Sequence, residues 1–173
     1  MRILLTGSSG GIGSAIKEVL KDHEVICVRH ADPAPVQLID IDWLICAHGV
    51  IDEEDILGTF MANTISSIYL AEQLKNARII FISSTAARGN DTYPIYAASK
   101  AALNTYCKSI SKKRECYAIC PGPTDTPMWQ RLDIPGKAQS PTAVADAVSR
   151  IINSAGIYTS GDIITVRNGT ITL

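Results

Sequence analysis

The aliphatic run Arg2–Thr6 breaks into a glycine-rich turn, Gly7-Ser8-Ser9-Gly10-Gly11-Ile12-Gly13, and Ile12, Ile16, Val19 and Leu20 then recur at helical spacing. This strand–turn–helix start constrains the fold more than any other feature. A turn that tight needs residues tolerant of positive φ and close backbone approach. The helix behind it aims free N–H groups and a positive dipole end at the turn, which suits a pyrophosphate. The spacing, Gly-x-x-x-Gly-x-Gly, differs from the Gly-x-Gly-x-x-Gly dinucleotide fingerprint.

The same alternation continues down the chain. Strands are expected at 24–29, 43–47, 78–83, 116–120 and 162–166. Helices are expected over about 60–75 and 96–112, and from Ser140-Pro141, an N-cap with proline at the first helical position, to about Asn153. The strands lack a polar face, as when helices cover both sides of a parallel sheet. The reading is one α/β domain over residues 1–173, a Rossmann-like, doubly wound, mainly parallel sheet of six strands. A length of 173 residues fits one domain.

Composition narrows the function classes. The net charge of −1 gives no pull toward nucleic acid or an anionic membrane surface. No segment approaches the ~20 apolar residues of a membrane span. The apolar start is too short for a signal core, so the expected location is the cytoplasm. Five cysteines occur without C-x-x-C, and Cys27, Cys46, Cys116 and Cys120 lie in apolar, strand-like runs. They are expected to be buried thiols, and no metal site is expected.

Tyr96 and Lys100 stand four apart at the start of a long helix, hence on one face. A tyrosine hydroxyl titrates near ~10 in water, and a neighbouring ammonium favours its phenolate. The pair is a candidate general acid/base. Upstream, Ile79-Ile80-Phe81-Ile82-Ser83-Ser84 is a strand ending in two hydroxyls, at the sheet edge where α/β proteins bind ligands.

Together these segments resemble the short-chain dehydrogenase/reductase family. Thr6 to Gly13 resembles its T-G-x-x-x-G-x-G cofactor motif, Ile82-Ser83-Ser84 its I-S-S, and Tyr96-Ala97-Ala98-Ser99-Lys100 its Y-x-x-x-K. The resemblance implies that Gly7, Ser8, Ser9, Gly11, Ile12 and Gly13 lie along a cofactor's pyrophosphate and adenosine ribose. It makes Tyr96 the acid/base, Lys100 the residue that lowers its pKa, and Ser84 the catalytic serine, with Ser83 the alternative. Asn63, in Met61-Ala62-Asn63-Thr64, resembles the helix asparagine that holds a water in a proton relay. Pro121-Gly122-Pro123-Thr124-Asp125-Thr126 resembles P-G-x-x-x-T. This implies that Pro121, Gly122, Thr124 and Thr126 hold the nicotinamide end. Cys46-Ala47-His48-Gly49 stands where the family has N-N-A-G. Ala47 and Gly49 are expected to flank the cofactor ribose, and His48 is read as a loop histidine rather than a base. Met128-Trp129 is either part of a substrate lid or core packing.

The chain is shorter than typical members, first between Arg29 and Asp42, where a helix, a strand and another helix are usual. Arg29, at the second strand's end, suits a 2′-phosphate. NADP(H) is therefore favoured, with NAD(H) the alternative. Asp52-Glu53-Glu54-Asp55 reads as a solvated turn or helix start, and Lys112-Lys113-Arg114 as the cationic close of the long helix. The expected function is an oxidoreductase for a small carbonyl/alcohol pair, working as a homodimer or homotetramer. A non-catalytic NAD(P)-binding sensor on the same fold is the alternative.

Overall fold

A computed structural model describes residues 1–28, 40–132, 136–153 and 156–173. Among the described residues seven strands form one sheet: β1 (Arg2–Thr6), β2 (Glu24–Val28), β3 (Trp43–Cys46), β4 (Arg78–Ile82), β5 (Cys116–Pro121), β6 (Ile163–Arg167) and β7 (Thr170–Thr172). Their order is β2-β1-β3-β4-β5-β6-β7. The first six are parallel, and β7 folds back antiparallel on β6. The six expected strands are present, and β7 is a seventh that the expectation lacked. It turns on Asn168 and Gly169, with φ of 51° and 76°. Asn-Gly with both residues at positive φ is the two-residue hairpin turn.

Helices α1 (Gly11–Val19) and α6 (Pro141–Asn153) cover one face. On that side Ile3, Leu5, Ile45, Ile80, Ile119, Ile164 and Val166 meet Ile16, Val144, Val148 and Ile151. The other face carries α2 (Ile56–Phe60), α3 (Ser66–Gln73) and α4 (Pro94–Ile110). There Leu4, Leu44, Ile79, Phe81 and Ala118 meet Ala71, Leu103 and Cys107. Successive strand residues alternate between the two cores, which is why β3, β4 and β5 read as unbroken apolar runs.

Several local expectations shift. β2 is an edge strand among the described residues, so Glu24 and Cys27 are exposed rather than buried. The helix expected over 60–75 starts at Ile56, and a π-helical turn, Met61–Ile65, joins α2 to α3. The long helix α4 ends at Ile110, so Arg114 does not close it. Its guanidinium instead donates to the carbonyls of Ala71, Leu74 and Ala77 at 2.7–3.2 Å, satisfying the end of α3.

Candidate active site

The parallel register brings four strand ends to one edge of the sheet. Thr6-Gly7, Ala47-His48-Gly49, Ser83-Ser84 and Pro121-Gly122 follow β1, β3, β4 and β5 in turn. The order reverses at β1, which has β2 on one side and β3 on the other. That switch point is where open α/β sheets form a ligand crevice.

The glycine turn occupies this crevice. Gly7 has φ +70° and packs on the next loop, where an added Cβ would lie 2.6 Å from His48 N. A Cβ on Gly13 would lie 2.0 Å from Gly7 O. Helix α1 opens at Gly10 with no side-chain cap, so its first N–H groups remain for an anion. The turn, the uncapped helix and the switch point fit a dinucleotide. Ser8 is half-buried and Ser9 exposed beside them.

Ile12 leads from the turn into a cavity of about 260 Å³ lined also by Ser83, Ser84, Tyr96, Pro121, Gly122, Thr124 and Thr126. The Tyr96 and Ser84 side chains line this cavity together. Burial pushes the Tyr96 pKa up, and the nearby Ser84 hydroxyl works against that rise. Ser83 is differently engaged: it is buried and donates to the carbonyl of Lys100 at 3.1 Å. Of the two serines, Ser84 is the less buried, and its hydroxyl makes no bond to the Lys100 backbone. Ser84 also accepts from Ala86 N at 3.1 Å, capping a short 3₁₀ turn, Thr85–Arg88.

Lys100 is buried, with its Nζ 5.9 Å from the Tyr96 ring centroid and donating to Ile82 O at 3.0 Å. Burial lowers its pKa to about 8. Cys46 lies near; burial pushes its thiol up to about 12, so it stays neutral. Asn63 is fully buried in the π-helical turn. Its Oδ1 accepts from Val50 N at 2.7 Å, and its Nδ2 donates to Val50 O and Ser99 Oγ, each at 2.9 Å. Ser99 Oγ in turn donates to Tyr96 O at 2.7 Å. Gly49 lies between the two groups: a Cβ there would be 2.9 Å from Asn63 Oδ1 and 3.1 Å from Lys100 Nζ. Asn63, Ser84, Tyr96 and Lys100 thus gather around one end of the crevice.

The remaining expected cofactor residues divide. Ala47 is half-buried beneath Gly7. Thr124 is buried, its hydroxyl donating to Gly122 O at 2.8 Å and accepting from Gln139 Nε2 at 3.3 Å, so its backbone is what it offers a ligand. Thr126 Oγ1 accepts from Trp129 N at 3.2 Å and caps α5 (Pro127–Arg131). Met128 and Trp129, on α5, line the cavity. Arg29 lies outside the described residues.

Three residues prove more structural to the site than the sequence suggested. His48 is buried: Nδ1 lies 2.6 Å from Thr6 Oγ1 and Nε2 2.7 Å from Ser66 Oγ. Both ring nitrogens are thus engaged, tying β1 and β3 to the helix that carries Asn63. Thr6 also accepts from Ala47 N at 3.2 Å. Glu53 has a role that its acidic neighbours do not suggest. Its two carboxylate oxygens accept from Ile95 N at 2.8 Å and Tyr96 N at 2.9 Å, capping the helix that carries Tyr96. The neighbouring Asp55 caps α2 through Gly58 N at 2.8 Å. Asp52, Glu54 and Asp55 form the expected exposed turn and helix start, and half-buried Glu53 is the member that reaches a distant helix. The Glu53→Ala substitution is expected to cost about 1–2 kcal/mol, a fall of several degrees in Tm for a domain of this size. Thermal denaturation checks this; an unchanged Tm contradicts the cap.

Comparisons with known proteins follow the same lines. The short chain dehydrogenase family model matches residues 55–135. An uncharacterized oxidoreductase, YhxC of Bacillus subtilis (strain 168), is 28% identical over 144 aligned residues, covering 70% of this chain and 50% of that protein. The chain therefore spans about half the length of the curated relative it matches. Among solved structures, the 3-alpha-hydroxysteroid dehydrogenase of Pseudomonas sp. B-0831, complexed with NADH, superposes with a TM-score of 0.83 at 19% identity, covering 98% of this chain and 96% of that one. ElxO with NADP bound gives a TM-score of 0.78 at 16% identity, covering 97% of each chain. At these identities the likeness is one of fold.

Proposed function

We propose that this chain, which matches the short-chain dehydrogenase/reductase family in sequence over residues 55–135 and in fold over nearly its whole length, is an NAD(P)-dependent oxidoreductase acting on a small carbonyl/alcohol pair. One observation carries the reading: Tyr96 and Ser84 line one cavity beside the glycine turn, with a buried Lys100 ammonium one helical turn on. When bound, the nicotinamide supplies the hydride.

The residues have separate tasks in this mechanism. Ser84 donates to the substrate oxygen and orients it toward Tyr96. Tyr96 gives that oxygen a proton during reduction and takes it back during oxidation. The Lys100 charge, 5.9 Å from the Tyr96 ring centroid, favours the phenolate, set against the burial that holds the proton on. Asn63 holds the loop at Val50 and, through Ser99, the backbone of Tyr96, and it supports proton resupply to Lys100. Gly7, Ser8, Ser9, Gly11, Ile12 and Gly13 hold the pyrophosphate and adenosine ribose. Ala47 and Gly49 flank the ribose, and Pro121, Gly122, Thr124 and Thr126 hold the nicotinamide end.

NADP(H) is the favoured form because Arg29 follows β2, and NAD(H) is the alternative. A homodimer or homotetramer belongs to the same reading. Leu57, Met61, Ile65 and Tyr69, on α2, the π-helical turn and α3, are exposed apolar residues that a partner subunit would cover. No helix among the described residues is long and apolar enough to cross a membrane. A cytoplasmic location and a small-molecule substrate complete the proposal.

Fluorescence titration with NADPH and NADH, followed by oxidation assays with ketones and aldehydes, tests the reading. Binding of neither cofactor overturns it. The pH dependence is a further expected result. Carbonyl reduction needs the proton-loaded pair, Tyr96 hydroxyl with Lys100 ammonium. Because Lys100 titrates at about 8 rather than 10.5, kcat/KM for reduction is expected to fall as pH rises through about 8. In Lys100→Arg the charge persists, so the break moves upward. A profile flat to high pH would contradict the role of the lysine.

A further inference from the structure

The cavity continues past Ser84 and Tyr96 to the carboxyl end of β6. Arg167 is the sole charged side chain among the described residues lining it. Its stem lies along Gly122, where an added Cβ would be 3.4 Å from Arg167 Nε and 3.5 Å from Cγ. Thr85 and Arg167 also belong to the wall of an adjoining groove of about 480 Å³. Its other lining residues are Arg88, Thr165, Asn168, Thr170 and Thr172. Arg88 Nη2 donates to Thr165 Oγ1 at 2.7 Å, which fixes that guanidinium beside the β6 end. Neither arginine makes an ion pair among the described residues, whereas Arg2 and Arg114 lie against Glu24 and Glu72. No carboxylate stands among the described lining of cavity or groove. The catalytic cavity therefore opens at its far end onto two guanidinium groups and four threonine hydroxyls with no internal counter-charge.

A guanidinium fork matches the paired oxygens of a carboxylate or phosphate, and hydroxyls donate to the oxygens that remain. An uncompensated positive charge at a cavity mouth also concentrates anions there. We propose that Arg167, supported by Arg88, binds an anionic substituent, carboxylate or phosphate, on the substrate whose carbonyl or hydroxyl lies at Ser84 and Tyr96. As a statement about substrate, this rests on the oxidoreductase reading above. Arg167 acts as a specificity residue, distant from the proton transfer.

Matched probe pairs test it. 4-Carboxybenzaldehyde is compared with 4-methylbenzaldehyde, and glyceraldehyde 3-phosphate with glyceraldehyde, in turnover with NADPH. The corresponding alcohols are titrated calorimetrically against the Tyr96→Phe protein holding NADP. The anionic member of at least one pair is expected to be preferred about tenfold or more, and the preferred pair identifies carboxylate or phosphate. In Arg167→Gln that preference should vanish through KM, with kcat on the neutral probes kept. Arg167→Lys should restore part of it, and added salt should weaken it.

Absence of anion preference in both pairs, or its survival in Arg167→Gln, overturns the proposal. Tyr96-dependent turnover of the neutral probes would leave the oxidoreductase reading standing in that case. Conversely, anion binding lost in Arg167→Gln, without turnover of any probe, supports the anion site and counts against the oxidoreductase reading.

Discussion

The Tyr96→Phe protein should fold as the parent does and bind cofactor with little change, yet lose about 10²–10⁴-fold in kcat/KM. The substitution removes a hydroxyl from the cavity that Ser84 also lines and leaves the ring. The site then lacks the group proposed to exchange a proton with the substrate oxygen, while the glycine turn and the Glu53 cap on α4 are untouched. The loss should sit in kcat, because the group acts in the transition state. Steady-state kinetics with both carbonyl and alcohol substrates read this directly. Undiminished turnover in Tyr96→Phe would remove the tyrosine from the mechanism.

Gly13→Ala should have the second large effect, on binding. The added Cβ would stand 2.0 Å from Gly7 O, and 2.6 Å from Gly7 C. Both contacts are backbone, so no side chain can swing aside. Either α1 moves away or the turn opens, and each displaces the N–H groups proposed to receive the pyrophosphate. A loss of roughly 1–3 kcal/mol of stability is expected from the overpacking, with cofactor affinity reduced by at least about tenfold. Lys17→Ala is the control, since Lys17 is exposed on α1 outside the turn and its loss creates no clash. Fluorescence titration and thermal denaturation of the two variants separate the effects. Wild-type cofactor affinity in Gly13→Ala would contradict the place assigned to the turn.

Sequence patterning was informative where burial is symmetric and local signals are strong. β3, β4 and β5 are apolar on both faces, so they stood out as runs between helical stretches. Ser140-Pro141 marked the start of α6 at the residue where it begins. Tyr96 and Lys100 shared a face because helical geometry requires it. What escaped was set by long-range contacts. Glu53 caps a helix that begins some forty residues on, and nothing in an acidic tetrapeptide says which helix it will meet. Arg114 belongs to the end of α3 for a similar reason: a cation near the end of one helix can reach another's carbonyls. His48 is held between Thr6 and Ser66 by the fold, so its two partners were not visible as a local motif. The π-helical turn around Asn63 interrupts a pattern that otherwise reads as one helix. β7 is a different case, because Asn168-Gly169 is a readable hairpin signal that lay just past the last expected strand. Arg167 stands immediately before that turn, which is how the strongest candidate for substrate selection lay outside the motifs.

The central claim is that hydride passes between a nicotinamide and a carbon held at Ser84 and Tyr96. Isotope transfer tests it most directly. The protein is incubated with NADPH carrying deuterium at C4, each diastereomer separately, and with a carbonyl panel that includes the anionic probes. Mass spectrometry then reads the alcohol products. The account predicts one deuterium at the carbinol carbon, from one diastereomer only, in wild-type protein, and far less product in Tyr96→Phe. Alcohol formed without label from either diastereomer, or equal labelled product in wild-type and Tyr96→Phe proteins, would contradict it.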